Sequence, residues 1–233
     1  MINITNTGVY GWEAAIRGMR NPMNSWAKSD SGLKVMNETD VEFGYEPNYE
    51  YIIGENDLKL MKSLSKAGND HGKFLRMINV TVDITAPLYW WKEFDTYKVG
   101  TVANSCSTMH KIHAKEFTLD DFSFEHLFDG LDTVDDIDNE MEYYENPTTC
   151  LEYVIGVMNH YREKFIETKD KRYWWQMIQL LPSSYNQKRT VQLNYQVLKT
   201  MYFARKAHKL DEWHTLCEWC ESLPYFKEIC IDV

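Results

Sequence analysis

The stretch from Val80 to His110, VTVDITAPLYWWKEFDTYKVGTVANSCSTMH, predicts a strand, a helix and then a polar loop. Its first residues alternate between apolar and polar, which is the period of a strand with one buried face. Pro87 follows where a helix can begin without losing a needed amide hydrogen. Gly100 suits the left-handed residue that ends such a helix, and residues 101–108 then form a loop of small polar side chains. Loops held by rigid elements are where ligand contacts collect.

The remaining pattern places strands early in the chain and helices late. This order favours an α+β fold over alternating βαβ units, with a small antiparallel sheet, helices packed on it and a helical C-terminal half. The other expected strands are Ile2–Val9 and Tyr49–Ile53. The expected helices are Gly11–Arg20, a helix capped by Asn56 and stopped by Gly68, a turn around Phe74, Leu119–Phe128, a long helix after Pro147, Lys171–Leu181, Gln187–His208 and Asp211–Ser222.

Length and charge bound the class of protein. With 233 residues, 44% of them hydrophobic, the chain can bury a substantial core, and we expect one domain over residues 1–233. The net charge of −10 is densest around residues 116–146, which we interpret as an acidic helical insertion. Such a surface repels nucleic acid, so we expect no DNA or RNA partner.

Neither a membrane span nor a disulfide framework is predicted. No run approaches the roughly 18 apolar residues of a spanning helix, and the N-terminus lacks the pattern of a signal peptide. The count of five cysteines is odd, which is typical of reduced thiols. We therefore expect a cytoplasmic protein without a membrane partner.

Three residues at steps of three, His214, Cys217 and Cys220, raise the question of a metal site. On one helix they form a slanting stripe, and a zinc ion needs a fourth ligand, for which Cys230 is the only nearby candidate. Buried cysteines on an apolar helix face are the alternative, and we expect no metal site.

Other chemistry is sparse. The sequence has no glycine-rich phosphate loop, and His71, His110 and His113 have no identifiable partner that makes them bases. Arg205 is different because it follows Met201, Tyr202, Phe203 and Ala204, where a cation is costly to desolvate without an anion. A phosphate-bearing ligand and an internal salt bridge are both open at this point.

Two separated segments together resemble the flavin-dependent (ThyX-type) thymidylate synthases. Members have a strand ending in Ala-Pro, an aromatic-rich helix, an R-H-R triplet and a loop with S-x-R. Here Ala86-Pro87 opens the helix, Thr96-Tyr97-Lys98 stands in place of the triplet, and Asn104 to Ser107 with Met109 occupy the loop.

The second segment carries the stronger signal. The family has Leu-Pro, an asparagine twelve residues past the proline and an arginine eleven residues further on. Pro182, Asn194 and Arg205 reproduce this spacing without a gap, and the early GWEAAIRGMRNP is similar to the family's first helix.

The resemblance implies a homotetrameric enzyme that methylates dUMP to dTMP with FAD as cofactor and NADPH and methylenetetrahydrofolate as co-substrates. The flavin carries the redox chemistry in such enzymes, while the protein binds and orients. Arg205 and Ser107 take the catalytic positions. The resemblance assigns cofactor contacts to Asn194, Thr96, Tyr97, Lys98 and Asn104, and contacts with the deoxynucleotide to Arg205, Glu93, Ser105, Cys106 and Ser107.

The departures from the family fall on anion contacts. Thr96-Tyr97-Lys98 offers one point charge where the triplet has two guanidinium forks, and the loop arginine is replaced by Met109 or Thr108. Three hypotheses follow: a divergent thymidylate synthase, a nucleotide-binding or structural relative with changed or lost activity, and an unrelated interaction protein that uses its acidic surface.

Overall fold

The computed structural model describes residues 2–36, 41–129 and 146–233. In these ranges the strands are β1 (Asn3–Tyr10), β2 (Gly32–Val35), β3 (Tyr49–Ile52), β4 (Asn79–Pro87), β5 (Val102–Ser105) and β6 (Asn186–Asn194). The helices are α1 (Trp12–Arg20), α2 (Glu55–Lys66), α3 (Leu88–Phe94), α4 (Thr108–Lys111), α5 (Pro147–Thr168), α6 (Lys171–Leu180), α7 (Tyr195–Arg205) and α8 (Asp211–Ser222).

Strands β1-β4-β6-β5 form a four-stranded sheet in that order, and β2 pairs with β3 in an antiparallel hairpin. The predicted α+β fold with a small antiparallel sheet and helices is confirmed. None of the described helices is long and apolar enough to cross a membrane.

The chain divides into two compact units, which we describe separately. The first unit contains residues up to Ile4, Asp83–Thr96 and Ala103–Thr190. Its α5–α6 core includes Phe117, Phe122, Leu151, Met158 and Met177. The second unit contains Thr5–Val82, Tyr97–Val102 and Val191–Val233, and its buried residues include Trp12, Met61, Tyr195, Trp213 and Phe226.

The stretch from Val80 to His110 folds as predicted up to Phe94, where α3 ends. Gly100 is left-handed, with a φ of 78°, but it does not end the helix as predicted, because α3 has already stopped before it. Val80, Val82 and Ile84 are fully buried on β4 while their neighbours are partly exposed. Pro87 then takes an extended conformation directly before α3, and α3 buries Trp90, Trp91 and Phe94. Paired tryptophans at this point are therefore core residues, because their rings pack against each other and against Phe94.

Two predicted helices are wrong. Gln187–His208 is half strand, because Gln187, Val191 and Leu193 alternate with exposed residues along β6, and the helix begins only at Tyr195. Leu119–Phe128 forms one 3₁₀ turn at Leu119–Asp121, after which Phe122 pairs with Tyr185 in an isolated bridge.

Two smaller predictions also need correction. Asn56 does not cap α2, because the helix begins at Glu55 and the Asp30 carboxylate accepts hydrogen bonds from the backbone amides of Asn56 and Asp57. The loop over residues 101–108 contains the short strand β5. Most of the predicted acidic helical insertion, residues 130–145, lies outside the described residues.

Candidate functional site

The two segments that carry the family resemblance meet within the first unit. The backbone amides of Leu88 and Tyr89, at the start of α3, donate to the carbonyls of Tyr185 and Ser183 at 3.0 and 2.9 Å. The first amides of a helix have no acceptor within the helix itself. Here the turn after Pro182 supplies the acceptor carbonyls. The Ala-Pro and Leu-Pro signals in the sequence are thus two parts of one local structure.

Arg205 ends α7 in the second unit and is held by aromatic residues. Its Nε donates to the Tyr97 hydroxyl at 2.9 Å, and its guanidinium carbon lies 4.6 Å from the ring centre of Trp213. The Tyr97 ring centre is 5.6 Å from the same carbon. Arg205 and Tyr97 were both predicted as site residues, and the fold brings them into direct contact.

Asn194 begins the same helix. Its side-chain oxygen accepts from the Val197 amide at 3.1 Å and so caps α7. Gly100 approaches it closely: a Cβ there would lie 3.1 Å from Asn194 Nδ2, and the φ of 78° is one that glycine adopts readily. Asn194 and Arg205 are about 16 Å apart along the helix at 1.5 Å per residue, so they cannot act on the same atom of a ligand.

Two further predicted contact residues, Thr96 and Lys98, precede Gly100 in the sequence, and Thr101 follows it. Lys98 is exposed. The Thr101 hydroxyl is buried without a hydrogen-bond partner among the described residues. In the first unit, Thr96 donates its hydroxyl to the Glu93 carbonyl at 2.7 Å, which closes the end of α3. Thr96 is therefore a capping residue in this structure, although it stands in the place of the first triplet arginine.

The predicted nucleotide loop is exposed on the first unit. Asn104, Ser105, Cys106 and Ser107 all present their side chains to solvent. Ser107 caps the short helix α4, because its hydroxyl accepts from the His110 amide at 3.1 Å. The loop thus offers hydroxyls, an amide and a thiol, as expected from the sequence.

An arginine network that the sequence did not reveal positions this loop. Arg189 Nη1 lies 2.7 Å from Asp95 Oδ1, and its Nε donates to Gln187 Oε1 at 3.0 Å. The guanidinium carbon stands 4.1 Å from the ring centre of Trp91. Gln187 in turn donates from Nε2 to the Cys106 carbonyl at 2.9 Å.

The same loop residue is also held through its amide. The Cys106 amide donates to the Lys188 carbonyl at 2.9 Å, and Trp91 Nε1 donates to the Gln187 carbonyl at 2.9 Å. Arg189 therefore reaches the loop through Gln187, and it can fix the place of Cys106 without touching a ligand. The sequence gives little indication of this network, because the Asp95 carboxylate that pairs with Arg189 lies 94 positions away in the chain.

The remaining candidates are the histidine and the cysteines that raised the question of a metal site. The described residues contain no cluster of three or more metal-ligating side chains. His214 is exposed beside Asp211, whereas Cys217, Cys220 and Cys230 are buried. Burial raises the pKa of the Cys217 thiol to about 11 and that of Cys230 to about 12. These thiols are core residues, which is the alternative that the sequence left open.

This chain is similar to known proteins in its structure. No family model matches the chain, and no curated protein matches it. A flavin-dependent thymidylate synthase, ThyX, from Helicobacter pylori in complex with FAD and dUMP has a TM-score of 0.63 at 13% identity, covering 99% of this chain and 98% of its own. A second structure of ThyX from Helicobacter pylori with FAD and dUMP gives 0.64 at 13% identity, covering 100% and 98%.

A third solved structure extends the set. PolB, a UMP/dUMP methylase from Streptomyces cacaoi bound with 5-Br dUMP, has a TM-score of 0.55 at 12% identity and covers 98% of this chain and 93% of its own. At identities this low, the structural likeness establishes only the fold. A fold alone does not fix a function. The chain has a ThyX-like fold along nearly its whole length.

Proposed function

We propose that this chain is a divergent flavin-dependent thymidylate synthase that methylates dUMP to dTMP. FAD is the proposed cofactor, with NADPH and methylenetetrahydrofolate as co-substrates. The observation that supports the proposal most is the likeness of fold, over nearly the whole chain, to ThyX structures that contain FAD and dUMP. The PolB structure, which contains a bromo-dUMP, supports a uridylate as the substrate class.

Donors in the second unit fit a ligand that accepts hydrogen bonds. The Asn194 oxygen is used as a helix cap, so its Nδ2 remains as the donor beside Gly100. The Tyr97 hydroxyl accepts from Arg205 and keeps its own proton to donate. Lys98 adds an exposed cation. These groups suit the carbonyl edge of a flavin ring and a diphosphate, and we assign them to holding FAD.

Arg205 is the proposed contact for the uracil or phosphate of dUMP. Tyr97 and Trp213 fix its guanidinium in one orientation, which lowers the entropic cost of meeting an anion. The exposed Asn104–Ser107 loop is proposed to contact a nucleotide phosphate with hydroxyls and backbone amides, and Gln187 holds its Cys106 carbonyl in place.

Bound flavin would supply the redox chemistry of the methyl transfer. The protein's own residues bind, orient and exclude water: Lys98 by charge, Asn194 and Tyr97 by hydrogen bonds, and Arg205 by its fixed guanidinium. Assembly into a homotetramer belongs to the proposal, and the mass of the particle in solution tests it.

The direct test is release of tritium from 5-tritiated dUMP in the presence of FAD, NADPH and methylenetetrahydrofolate. We expect release that requires all three additions. Replacing Lys98 by Gln should weaken FAD binding about tenfold, the value of one charge-assisted contact. Lys92→Gln is the matched control, because Lys92 is also an exposed lysine and lies on α3.

A second function is favoured by one contact. The Arg205 Nε is already engaged by the Tyr97 hydroxyl, and the loop has no arginine of its own. A ThyX-fold protein that binds a nucleotide without turning it over would fit that arrangement. It predicts that dUMP raises the melting temperature while no tritium is released under any combination of additions.

A further inference from the structure

The β2–β3 hairpin leaves one edge of β3 without a partner strand among the described residues. Directly beyond the last strand pair, the Met36 amide donates to the Asn48 carbonyl at 2.8 Å. Pairs that exchange hydrogen bonds alternate along an antiparallel ladder with pairs that do not. The register therefore turns the amide and carbonyl of Glu50 toward β2, and those of Tyr49 and Tyr51 away from it.

A cavity of about 480 Å³ in the second unit lies along this edge. Three consecutive residues of β3, Tyr49, Glu50 and Tyr51, line it, and no residue of β2 is among its described lining residues. Side chains alternate between the two faces of a strand, so a cavity that meets three residues in a row meets the backbone. We call the backbone groups of Tyr49 and Tyr51 on this side the open β3 edge.

The next residue on the same edge already has an acceptor, which a side chain supplies. The Ile53 amide, two positions beyond Tyr51, donates to the Tyr225 hydroxyl at 3.1 Å. This oxygen stands in for the carbonyl that a neighbouring strand would present. Tyr225 directly follows two residues of the cavity lining. The edge is thus closed at Ile53 and faces the cavity at the two tyrosines before it.

The walls of the cavity are apolar and held in place. Trp12 is buried and packs edge-on against Tyr195 and Tyr225, with ring centres 5.5 and 5.8 Å apart. Trp219 donates from Nε1 to the Thr7 hydroxyl at 3.0 Å. The apolar lining is completed by Val9, Leu223 and Pro224. An apolar side chain can therefore be buried here with little ordering of the protein.

The lining favours a neutral occupant that consists of one strand. Glu50 is the one charged residue among the described lining residues, but its side chain lies on the opposite face of β3 from those of Tyr49 and Tyr51, and Lys34 stands directly across from it. Residues of β1 and of the turn after α8 also line the cavity. A single extended segment fits between these walls, whereas the edge of a second sheet does not.

We propose that the open β3 edge binds an extended peptide segment by strand addition, with one apolar side chain of that segment in the cavity. Groups two residues apart on a strand are separated by about 7 Å, so Tyr49 and Tyr51 pair with alternate residues of the peptide. Main-chain hydrogen bonds supply affinity in this mode of recognition, and pockets for alternate side chains supply selectivity. The site shares no residue with the proposed flavin chemistry and is tested separately from it.

The probe is the fluorescein-labelled peptide Lys-Thr-Val-Thr-Leu-Thr-Lys, titrated into the full-length protein while its anisotropy is followed. Two further versions carry one N-methyl group, either on the backbone nitrogen of the leucine or on that of the threonine before it. Adjacent amides of a strand point to opposite edges, so one version should bind about fivefold weaker, and the other like the unmodified peptide. Equal effects of the two methyl groups, or no saturable binding of the unmodified peptide, would overturn the proposal.

Hydrogen exchange of the protein locates the bound peptide without a variant. In the free protein we expect the amides of Tyr49 and Tyr51 to exchange quickly and that of Glu50, which faces β2, to exchange slowly. The peptide should slow Tyr49 and Tyr51 and leave Glu50 unchanged. Binding that leaves the two tyrosine amides unprotected would refute the site.

Two variants at one position separate the backbone from the side chain. Tyr49→Ala and Tyr49→Pro both remove a side chain that is 58% exposed, but only proline removes the amide hydrogen. Proline is tolerated in an edge strand where the lost amide faces away from the sheet. We expect Tyr49→Pro to bind the peptide about fivefold weaker than Tyr49→Ala. Equal binding by two folded variants would contradict strand addition, and the exchange measurement decides if Tyr49→Pro does not fold.

Discussion

Arg20 and Arg189 both pair with an aspartate, but one network is closed to solvent and the other is partly open. The side chains of Arg20 and Asp57 are 4% and 0% exposed, whereas those of Arg189 and Asp95 are 14% and 48% exposed. Each arginine also ties down a loop. The same arginine–aspartate chemistry therefore holds buried structure around Arg20 and an exposed loop, through Gln187 and Cys106, beside Arg189.

The Arg20 network is saturated with hydrogen bonds. Arg20 donates to Asp57 Oδ1 at 2.6 Å and to the carbonyls of Ser25 and Lys28. The other Asp57 oxygen accepts from the hydroxyls of Ser29 and Ser31, each at 2.7 Å. A buried charge pair whose polar atoms all have hydrogen-bond partners costs the fold little. The loss of one partner, however, leaves the other charge buried and destabilises the protein strongly.

The largest expected effect is therefore that of Arg20→Ala. Removing the cation leaves the Asp57 carboxylate buried and unpaired, which should cost about 3–5 kcal/mol of unfolding free energy in urea. Arg17→Ala, in an exposed pair on the same helix, should cost less than about 1 kcal/mol. Similar losses for the two variants would contradict the closed character of the Arg20 network.

The same pair should make stability fall in acid. Burial alone raises the pKa of Asp57, but hydrogen bonds from Ser31, Ser29, Arg20 and the Asp30 amide together outweigh it and hold that pKa below its ordinary value. The folded state therefore gains stability above the unfolded pKa of about 3.9 and loses it as the pH falls through the folded value. In urea titrations from neutral pH downwards, Asp57→Asn should show a flatter profile than wild type, and an unchanged slope would speak against this role.

Arg189→Ala should have a smaller effect on stability and a larger one on the loop. The partly exposed pair and the contact with Trp91 together suggest a loss of about 1–2 kcal/mol. Because Gln187 loses its support, the Cys106 amide should exchange its hydrogen faster. Arg189→Lys keeps the positive charge but loses the planar guanidinium, so its stability and its exchange rate at Cys106 should lie between those of wild type and Arg189→Ala. An unchanged exchange rate at Cys106 in Arg189→Ala would show that Arg189 does not hold the loop in place.

The smallest effect concerns thiols and needs no variant. Cys106 and Cys150 are exposed, whereas the three cysteines of the second unit are buried with raised pKa values. In the folded protein at neutral pH, Ellman's reagent should therefore react quickly with two of the five thiols. A third fast thiol would show that the second unit opens more readily than its packing indicates.

The scaffold could be predicted from sequence because its signals are local. The alternation in β4, Pro87 before α3 and the long helix after Pro147 each depend on neighbouring residues. Strand β6 was mistaken for a helix because one of its buried positions is the polar Gln187, which breaks the apolar–polar alternation that marks a strand. Gln187 is buried because it forms hydrogen bonds with residues far away in the sequence.

The candidate site was predictable only in part. The spacing of Pro182, Asn194 and Arg205 correctly indicated the fold, but the partner of Arg205 was open between a ligand and a salt bridge. The structure shows the Tyr97 hydroxyl in contact with it, 108 positions away. Contacts over such distances leave no pattern in a single sequence, and the Arg189 network was hidden for the same reason.

The most direct test of the central claim, that this ThyX-like fold still holds a flavin, is a visible absorption spectrum of the protein after incubation with FAD and removal of unbound cofactor. We expect a retained flavin band at close to one FAD per chain, reduced in Lys98→Gln and unchanged in Lys92→Gln. A colourless protein whose melting temperature also fails to rise with added FAD or dUMP would contradict it.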